Sequence, residues 1–476
     1  MLSTMSNQKD VMNQDTICAV ATAQGGAIGM IRTSGPDAIA ITDKIFIPAK
    51  RNEKLNNRRP YTLTFGQIYH GEEPIDEVLI GIFHSPHSYT GEDSTEITCH
   101  GSPYIIRQIM QLLIANGCRM ARPGEYTQRA FLNGKMDLSQ AEAVADLISS
   151  SSAATHRLAM NQMRGGFSKE LDDLRTRLLH FTSMIELELD FNEEDVEFAN
   201  RRELRLLADE IENTLSRLVD SFGAGNAIKN GIPVTIVGET NVGKSTLLNM
   251  LLNEEKAIVS NIHGTTRDTI EDTVTLSGIN FRFIDTAGIR ETVDEIENLG
   301  IERAFRKLDQ AEIVLWVIDV VDAREQLEKL SERILSRSSQ KQIVLVLNKA
   351  DLIHENQKEE LNSFLALYAR KNVNSIFISA KQRIETDELQ KLLIKLTHLP
   401  TVTQNDVVVT NIRHYEALTH ALESIHRVQE GLQMNISGDL LAQDIRECIF
   451  HLGDIVGEVT SEMVLKNIFE KFCIGK

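Results

Sequence analysis

The hydrophobic pattern of the first part of the chain is one of short runs. From Thr16 to Tyr69, apolar runs at residues 17–20 and 27–31 alternate with Gly and Pro, and residues 78–83 add another run. Short apolar runs bounded by turn residues are typical of β-strands. This part of the sequence predicts a small α+β domain.

The pattern changes at about residue 135. From there to residue 222 Pro is absent, and apolar residues recur three and four positions apart, as at Leu171, Leu174, Leu178 and Phe181. This spacing predicts long amphipathic helices. Beyond Pro400 the pattern is helical again, from about His414 to the end of the sequence.

Between the two helical parts, strand-like and helical stretches alternate. The β-rich run at residues 232–237 begins the series, which continues to about Leu396. Such alternation predicts a doubly wound α/β domain. Because neither helical part can bury its apolar stripe alone, we expect this domain to be inserted into one all-α domain. The predicted divisions are an extension (1–14), an α+β domain (15–134), the first helical part (135–229), the α/β domain (230–398) and the second helical part (399–476).

Composition limits the class of protein. The 476 residues carry a net charge of −18, with 42% hydrophobic and 25% charged residues, and they contain no apolar run of the roughly 18 residues that a membrane helix needs. The first residues do not resemble a secretory signal, so a soluble, cytoplasmic protein is expected. The five scattered cysteines support neither disulfides nor a zinc site. The charge argues against broad attraction to nucleic acid but leaves a local patch open.

Residues 238–245, Gly-Glu-Thr-Asn-Val-Gly-Lys-Ser, fit the phosphate-binding pattern G-x-x-x-x-G-K-S between a predicted strand and a predicted helix. Backbone N–H groups and the start of the helix would surround the phosphates. Lys244 would reach the β- and γ-phosphates, and Ser245 would ligate Mg²⁺. The residues expected to bind nucleotide here are Asn241, Val242, Gly243, Lys244, Ser245 and Thr246.

Three further motifs follow in the order of a GTP-binding domain. The first places a carboxylate near the metal and a Gly N–H near the γ-phosphate. In the second motif, a carboxylate accepts two hydrogen bonds from guanine N–H groups that adenine lacks. The third motif forms the loop that lies behind the base. They are Asp285, Thr286, Ala287 and Gly288; Asn348, Lys349 and Asp351; and Ser379, Ala380 and Lys381.

The loop between the phosphate-binding residues 238–245 and the motif at 285–288 is expected to contribute a second Mg²⁺ ligand, Thr266. It comprises Ser260, Asn261, Ile262, His263, Gly264, Thr265 and Thr266. After residues 285–288 comes Ile289, where Ras-like enzymes have a Gln that orients the attacking water. The acidic residues just beyond, Glu291 to Glu297, are on their own more typical of a solvated face than of a catalyst.

Outside these motifs the sequence closely resembles the tRNA-modifying GTPases of the MnmE (TrmE) family, from about Asp15 to Lys476. Four stretches carry the resemblance: residues 26–36 (Gly-Ala-Ile-Gly-Met-Ile-Arg, then Ser-Gly-Pro), residues 88–93 with His100 and Gly101, residues 122–135, and the ending Phe-Cys-Ile-Gly-Lys at 472–476. The departures are Thr240 and Asn192, each where the family usually has Pro, and residues before Asp15 have no counterpart.

The resemblance implies an N-terminal folate-binding domain, a helical domain and an inserted Ras-like GTPase domain. It also implies that GTP hydrolysis, a tetrahydrofolate one-carbon unit (5,10-methylene or 5-formyl) and a flavin-dependent MnmG (GidA)-type partner together place an aminomethyl or carboxymethylaminomethyl group on C5 of the tRNA wobble uridine, position 34. A homodimer and a heterotetramer with that partner are expected.

The resemblance also assigns individual residues. Folate contacts fall on Arg32, Glu96, Lys135 and Lys476, whose charges suit the glutamate tail and the pterin. Cys473 is a candidate for chemistry, although an apolar-flanked Cys is more often a small core residue. The implied ligands of a potassium ion are Asn241 and the backbone carbonyls of Ser260, Ile262 and Thr265.

Potassium would neutralise charge that develops on the β–γ bridge, as an arginine finger does elsewhere. In the family pattern Glu297 orients the attacking water, and two GTPase domains of the homodimer close face to face. Lys244, Thr266 and Glu297 are the expected catalytic residues.

Two other interpretations remain. A ribosome-assembly or signalling GTPase would share Asn241 and the Thr-Thr-Arg-Asp run at 265–268, but it would have no use for the folate-domain motifs or for the ending. A scaffold with a degenerate nucleotide site is disfavoured because Lys244, Ser245, Asp285 and Asp351 are all present.

Overall fold

The protein is described from a computed structural model covering residues 15–23, 25–50, 54–190, 201–254, 272–284, 308, 310–338, 341–366, 373–397, 406–434, 436–459, 461–470, 472 and 475. The chain forms two compact units. The first unit comprises Met1–Ser149, Ala159–Val219 and Arg413–Lys476, and the second comprises Ser150–Leu158 and Asp220–Ile412. Most of the two predicted helical parts (135–229 and 399–476) thus belongs to the unit that contains the amino-terminal domain, whereas residues 150–158, 220–229 and 399–412 belong to the second unit.

A mixed sheet forms the amino-terminal part of the first unit. In the described residues it has seven strands in the order β3-β4-β5-β6-β2-β1-β7, all antiparallel except the pair β1 and β7. The strands are β1 (Thr16–Val20), β2 (Ile28–Ser34), β3 (Phe46–Pro48), β4 (Thr62–His70), β5 (Glu73–Phe83), β6 (Ser94–His100) and β7 (Cys118–Met120).

Two helices cover one face of this sheet, and a third helix comes after β7 in the chain. They are α1 (Ala38–Ile45), α2 (Pro103–Ala115) and α3 (Glu125–Leu132). Ile31, Ile80 and Ile97 from the sheet pack with Ile109 and Leu113 of α2 in a core that excludes water. The predicted α+β domain is confirmed.

The rest of the first unit is helical. Leu171, Leu174, Leu178 and Phe181, which the sequence placed on one helix stripe, are all buried along α6. The helices are α4 (Leu138–Ser149), α5 (Ala153–Met163), α6 (Gly166–Asp190), α7 (Arg201–Asn230), α12 (Ile412–Met434), α13 (Gly438–Val456) and α14 (Glu462–Phe469).

A buried charge cluster joins three of these helices. Glu142 on α4 accepts hydrogen bonds from Arg413 (3.0 Å) and His414 (2.6 Å) at the start of α12, and Arg413 also donates to the carbonyl oxygens of Asp454 and Ile455 on α13. Burial disfavours the charged form of Glu142, but His414 and Arg413 outweigh it and lower the pKa of Glu142 to about 2.

The second unit is a doubly wound α/β domain, as predicted. In its described part six strands are ordered β13-β12-β11-β8-β10-β9, parallel except for the edge strand β9. The strands are β8 (Ile232–Val237), β9 (Asp272–Leu276), β10 (Ile279–Phe283), β11 (Ile313–Asp319), β12 (Gln342–Asn348) and β13 (Val373–Phe377).

Helices flank this sheet on both faces, so its central strands are buried on both sides. Residues 313–318 of β11 and 343–348 of β12 are all buried, which is the continuous apolar pattern expected of a covered parallel sheet. The helices are α8 (Lys244–Glu254), α9 (Ala323–Arg337), α10 (Glu355–Leu365) and α11 (Thr386–Leu396).

Four of the five cysteines lie among the described residues. Cys18, Cys99, Cys118 and Cys448 are buried free thiols, and Cys473 lies outside the described residues. None of the helices in the described ranges is long and apolar enough to cross a membrane.

Candidate functional site

The phosphate-binding loop connects the buried strand β8 to helix α8. Gly238 and Gly243 both have positive φ angles, +149° and +99°. A Cβ atom on Gly243 would lie 2.2 Å from Nδ2 of Asn348, and one on Gly238 would lie 2.2 Å from the carbonyl oxygen of Val317. Only glycine fits at these two positions, because the loop passes so close to β11 and to the end of β12.

Lys244 is folded back over this loop. Its Nζ donates to the carbonyl oxygens of Gly238 (2.9 Å) and Glu239 (2.6 Å). Burial lowers the pKa of Lys244, with the Glu239 carboxylate opposing that shift. The ammonium group thus lies inside the curve of the loop at the first turn of α8, where a phosphate oxygen would also meet the positive end of the helix.

Asn348 brings three predicted motifs together. Its Nδ2 donates to the carbonyl oxygen of Val242 in the phosphate-binding loop (2.8 Å), and its Oδ1 accepts from the backbone N–H of Ala380 (3.0 Å). The side chain is 3% exposed, so both hydrogen bonds are shielded from water. The loops after β8, β12 and β13 therefore meet at the carboxyl ends of the parallel strands, where open α/β sheets bind ligands.

Lys349 and Asp351, the other motif residues after β12, each contact a side chain that the sequence analysis did not predict. Lys349 Nζ lies 2.5 Å from Oδ2 of Asp319 at the end of β11. Oδ2 of Asp351 accepts from Nε2 of Gln382 (3.0 Å). Asp319 and Gln382 carry no motif of their own, and only the fold brings them to the nucleotide site.

Several predicted site residues fall outside the described part of the chain. They are Ser260, Asn261, Ile262, His263, Gly264, Thr265, Thr266, Asp285, Thr286, Ala287, Gly288, Glu297, Cys473 and Lys476. Among the described ones, Asn241 is exposed in the phosphate-binding loop with φ +63°, and Ser245 and Thr246 lie in the first turn of α8.

Two of the predicted folate residues are paired on the open face of the amino-terminal sheet. Arg32 on β2 and Glu96 on β6 are register partners, and Nε and Nη2 of Arg32 donate to Oε1 of Glu96 at 2.9 and 2.7 Å. The rings of Tyr89 and Tyr126 each lie 5.8 Å from the Arg32 guanidinium carbon, within cation–π range. Lys135 is exposed and donates to the carbonyl oxygen of Pro86 (3.0 Å).

A buried ion cluster supports the same region. Arg129 on α3, 1% exposed, donates to Asp15 (2.6 Å), Glu92 (3.1 Å) and Glu125 (3.1 Å). Burial alone would lower the pKa of Arg129, but the surrounding carboxylates raise it. No sequence pattern predicts this cluster, because each charge taken alone is typical of a surface residue.

The loops on the parallel sheet define the class: the second unit is a P-loop GTP-binding domain. Two family models match the chain, "GTP-binding protein TrmE N-terminus" over residues 16–135 and "MnmE helical domain" over residues 138–473. The chain belongs to the MnmE (TrmE) family of tRNA modification GTPases.

Curated relatives match along nearly the whole chain. The tRNA modification GTPases MnmE of Bacteroides thetaiotaomicron and Bacteroides fragilis strain YCH46 are each 73% identical to it over 465 residues, which is 98% of this chain and 100% of each relative. The MnmE of Parabacteroides distasonis is 60% identical over 464 residues, 97% of this chain and 100% of the relative.

Proposed function

We propose that this protein hydrolyses GTP to drive modification of the wobble uridine of tRNA. With a flavin-dependent MnmG-type partner, it would add an aminomethyl or carboxymethylaminomethyl group to C5 of position 34, taking the carbon from a tetrahydrofolate. The observation that carries the proposal is the meeting of Lys244, Val242, Asn348 and Ala380 at one sheet edge, in a chain of this family.

In this proposal each described residue of the nucleotide site has a defined task. Lys244 would exchange its two loop carbonyls for β- and γ-phosphate oxygens, and Ser245 would hold Mg²⁺ together with Thr266. Asp351 would accept the guanine N–H groups, and Asn348 would keep the base loop against the phosphate loop. Bound Mg²⁺ would offset the charge of the phosphate groups.

We further propose that Asn241 holds a potassium ion together with the carbonyl oxygens of Ser260, Ile262 and Thr265. Its side chain fits this task, because it is exposed in the phosphate-binding loop and offers an amide oxygen, the type of ligand that suits K⁺. Glu297 would then orient the attacking water, since Ile289 cannot.

GTP turnover in K⁺ and in Na⁺ tests this assignment. We expect turnover to be much faster in K⁺, and Asn241→Ala to remove most of the difference. Asn356→Ala, at an exposed position on α10, is the matched control and should leave the K⁺ effect intact. Equal rates in the two salts for the unmodified protein would contradict the potassium site.

For the amino-terminal sheet, we propose that Arg32, Glu96, Lys135 and Lys476 bind 5,10-methylene- or 5-formyl-tetrahydrofolate. Arg32 and Glu96 offer a donor and an acceptor side by side on an open face, and Tyr89 provides a half-exposed ring next to them. Such a set can meet the carboxylates, ring N–H groups and flat ring of a pterin.

We also propose the assembly and the domain limits. Leu63, Phe65 and Leu79 form an exposed apolar row on the same sheet face, at 70%, 50% and 41% exposure, which supports association of two copies into a homodimer. Two such chains and two MnmG-type partners would form the heterotetramer.

The domains would be folate-binding (15–134), helical (135–229 and 399–476) and GTPase (230–398).

A further inference from the structure

The loop that follows β13 is closed on itself. The backbone N–H groups of Ser379 and Ile384 each donate to the other residue's carbonyl oxygen at 3.1 Å, and Ser379 is 1% exposed. Within this closed turn, the backbone N–H of Gln382 donates to Oγ of Ser379 (3.2 Å). The backbone of Gln382 is therefore tied to a buried residue, although its side chain is exposed.

From this anchored position the Gln382 side chain reaches the loop after β12. Its Nε2 donates to Oδ2 of Asp351 at 3.0 Å, across 31 residues of sequence. Asp351 lies in the short 3₁₀ turn Ala350–Leu352, which is tied to the end of β13 by a hydrogen bond from the N–H of Ala350 to the carbonyl oxygen of Ile378 (2.9 Å). Both ends of the contact thus have fixed backbones.

A carboxylate that must accept two parallel hydrogen bonds from guanine has to lie in the plane of the base. The last torsion of an Asp side chain is soft, so an exposed Asp does not hold that plane by itself. Each carboxylate oxygen has two lone pairs, and Oδ2 can accept from Gln382 and from a base N–H together.

We propose that Gln382 is a specificity-determining positioning residue, which holds the Asp351 carboxylate in the orientation that reads guanine. This inference rests on the proposed role of Asp351. Gln382 would then contribute to the preference of the site for guanine over hypoxanthine. Guanine offers Asp351 an N1–H and a 2-amino group, whereas hypoxanthine offers only the N1–H. A carboxylate free to rotate would keep one hydrogen bond and lose the advantage of the second.

The test compares the binding of GDP and IDP to the full-length protein, by calorimetry at constant salt. Gln382→Met keeps the length of the side chain and removes its hydrogen-bond donor. We expect the GDP dissociation constant to rise by roughly three- to tenfold, the loss of one hydrogen bond to a charged group that is partly exposed to water. The IDP constant should change less, so that the preference for GDP over IDP shrinks.

Two outcomes would overturn the proposal. Equal weakening of GDP and IDP would make Gln382 a merely structural residue of the loop. Tighter GDP binding would mean that Gln382 competes with the base for Asp351 instead of orienting it. Gln111→Met, at an exposed position on α2, is the matched control, and neither nucleotide should bind differently to it.

A separate variant tests the assumption about Asp351. Asp351→Asn presents an amide donor in place of a carboxylate oxygen, so it should bind XDP, whose base has a carbonyl at position 2, better than GDP. If this variant keeps the preference for GDP, the proposed guanine role of Asp351 fails. If it prefers XDP while Gln382→Met changes nothing, only the inference about Gln382 fails.

Discussion

At the scale of single residues, the nucleotide site combines side chains of recognisable motifs with side chains that contact them from outside those motifs. Lys244, Asn348 and Asp351 are recognisable because glycine spacing and strand ends give them a context. Asp319 contacts Lys349, and Gln382 contacts Asp351, from positions outside these motifs. No local pattern distinguishes such residues from ordinary surface charges and amides, so only the folded chain reveals them.

Arg32 provides a residue-scale prediction for the proposed folate site. Its guanidinium uses two nitrogens to hold Glu96 and lies between two tyrosine rings, which a lysine ammonium cannot reproduce. We expect Arg32→Lys to weaken binding of 5-formyl-tetrahydrofolate by about tenfold, the equivalent of one charge-assisted hydrogen bond. Calorimetry with the full-length protein measures this.

The matched control for Arg32→Lys is Arg107→Lys on α2, where the arginine also lies against a tyrosine ring, that of Tyr104. This variant should bind the folate like the unmodified protein. If Arg32→Lys bound it just as well, Arg32 would not be a folate contact.

At the scale of elements, hydrophobic periodicity was sufficient to predict a helix or a strand where one face of that element is buried. It predicted the stripe of α6 and the strand at 232–237, which is β8. The start of strand β10 (Ile279–Phe283) depends on a turn and not on hydrophobic periodicity. The turn Ser277-Gly278 between β9 and β10 sets that start, through positive φ angles at both residues, and an apolar count ignores it.

The contact between α3 and the start of β1 gives the first element-scale prediction. Replacing Arg129 by Met would leave Glu92 buried without its cation and would take one cation from Glu125, which keeps Arg119; this costs about 3–5 kcal/mol of unfolding free energy. Urea unfolding, followed by a probe in the amino-terminal domain, measures the loss. Arg122→Met, at a side chain that is 66% exposed, should cost less than about 1 kcal/mol. Equal losses would show that the cluster does not stabilise the fold.

The junction of α4, α12 and α13 gives a prediction about pH. The pKa of Glu142 falls to about 2 in the folded protein from an ordinary value of 4.5, so its ion pairs stabilise the fold above about pH 4.5. That contribution, on the order of 3 kcal/mol, is lost as the pH falls toward 2.

Glu142→Gln tests the pH prediction. At pH 7 this variant should melt well below the unmodified protein, and the gap between the two melting temperatures should narrow as the pH is lowered from 5 to 3. A gap that stays constant over this range would show that the carboxylate charge of Glu142 does not contribute to stability.

At the scale of the whole molecule, the sequence predicted an α+β domain, long helices and a doubly wound α/β domain in one chain, and the two sheets and the helices agree with this. The alternation of strands and helices, and the change to a helical period at residue 135, were sufficient for that. The substrate could not be predicted in this way, because no periodicity or spacing indicates a wobble uridine. It enters only through membership of the MnmE family, which the two family models and the relatives establish.

The most direct test of the account is mass spectrometry of the wobble uridines in tRNA from cells that lack this protein. We expect the C5 aminomethyl-type modification to disappear, to return with the unmodified gene, and to stay absent with Lys244→Ala, which loses the phosphate contact. A normal modification profile in the cells that lack the protein would contradict the proposed function.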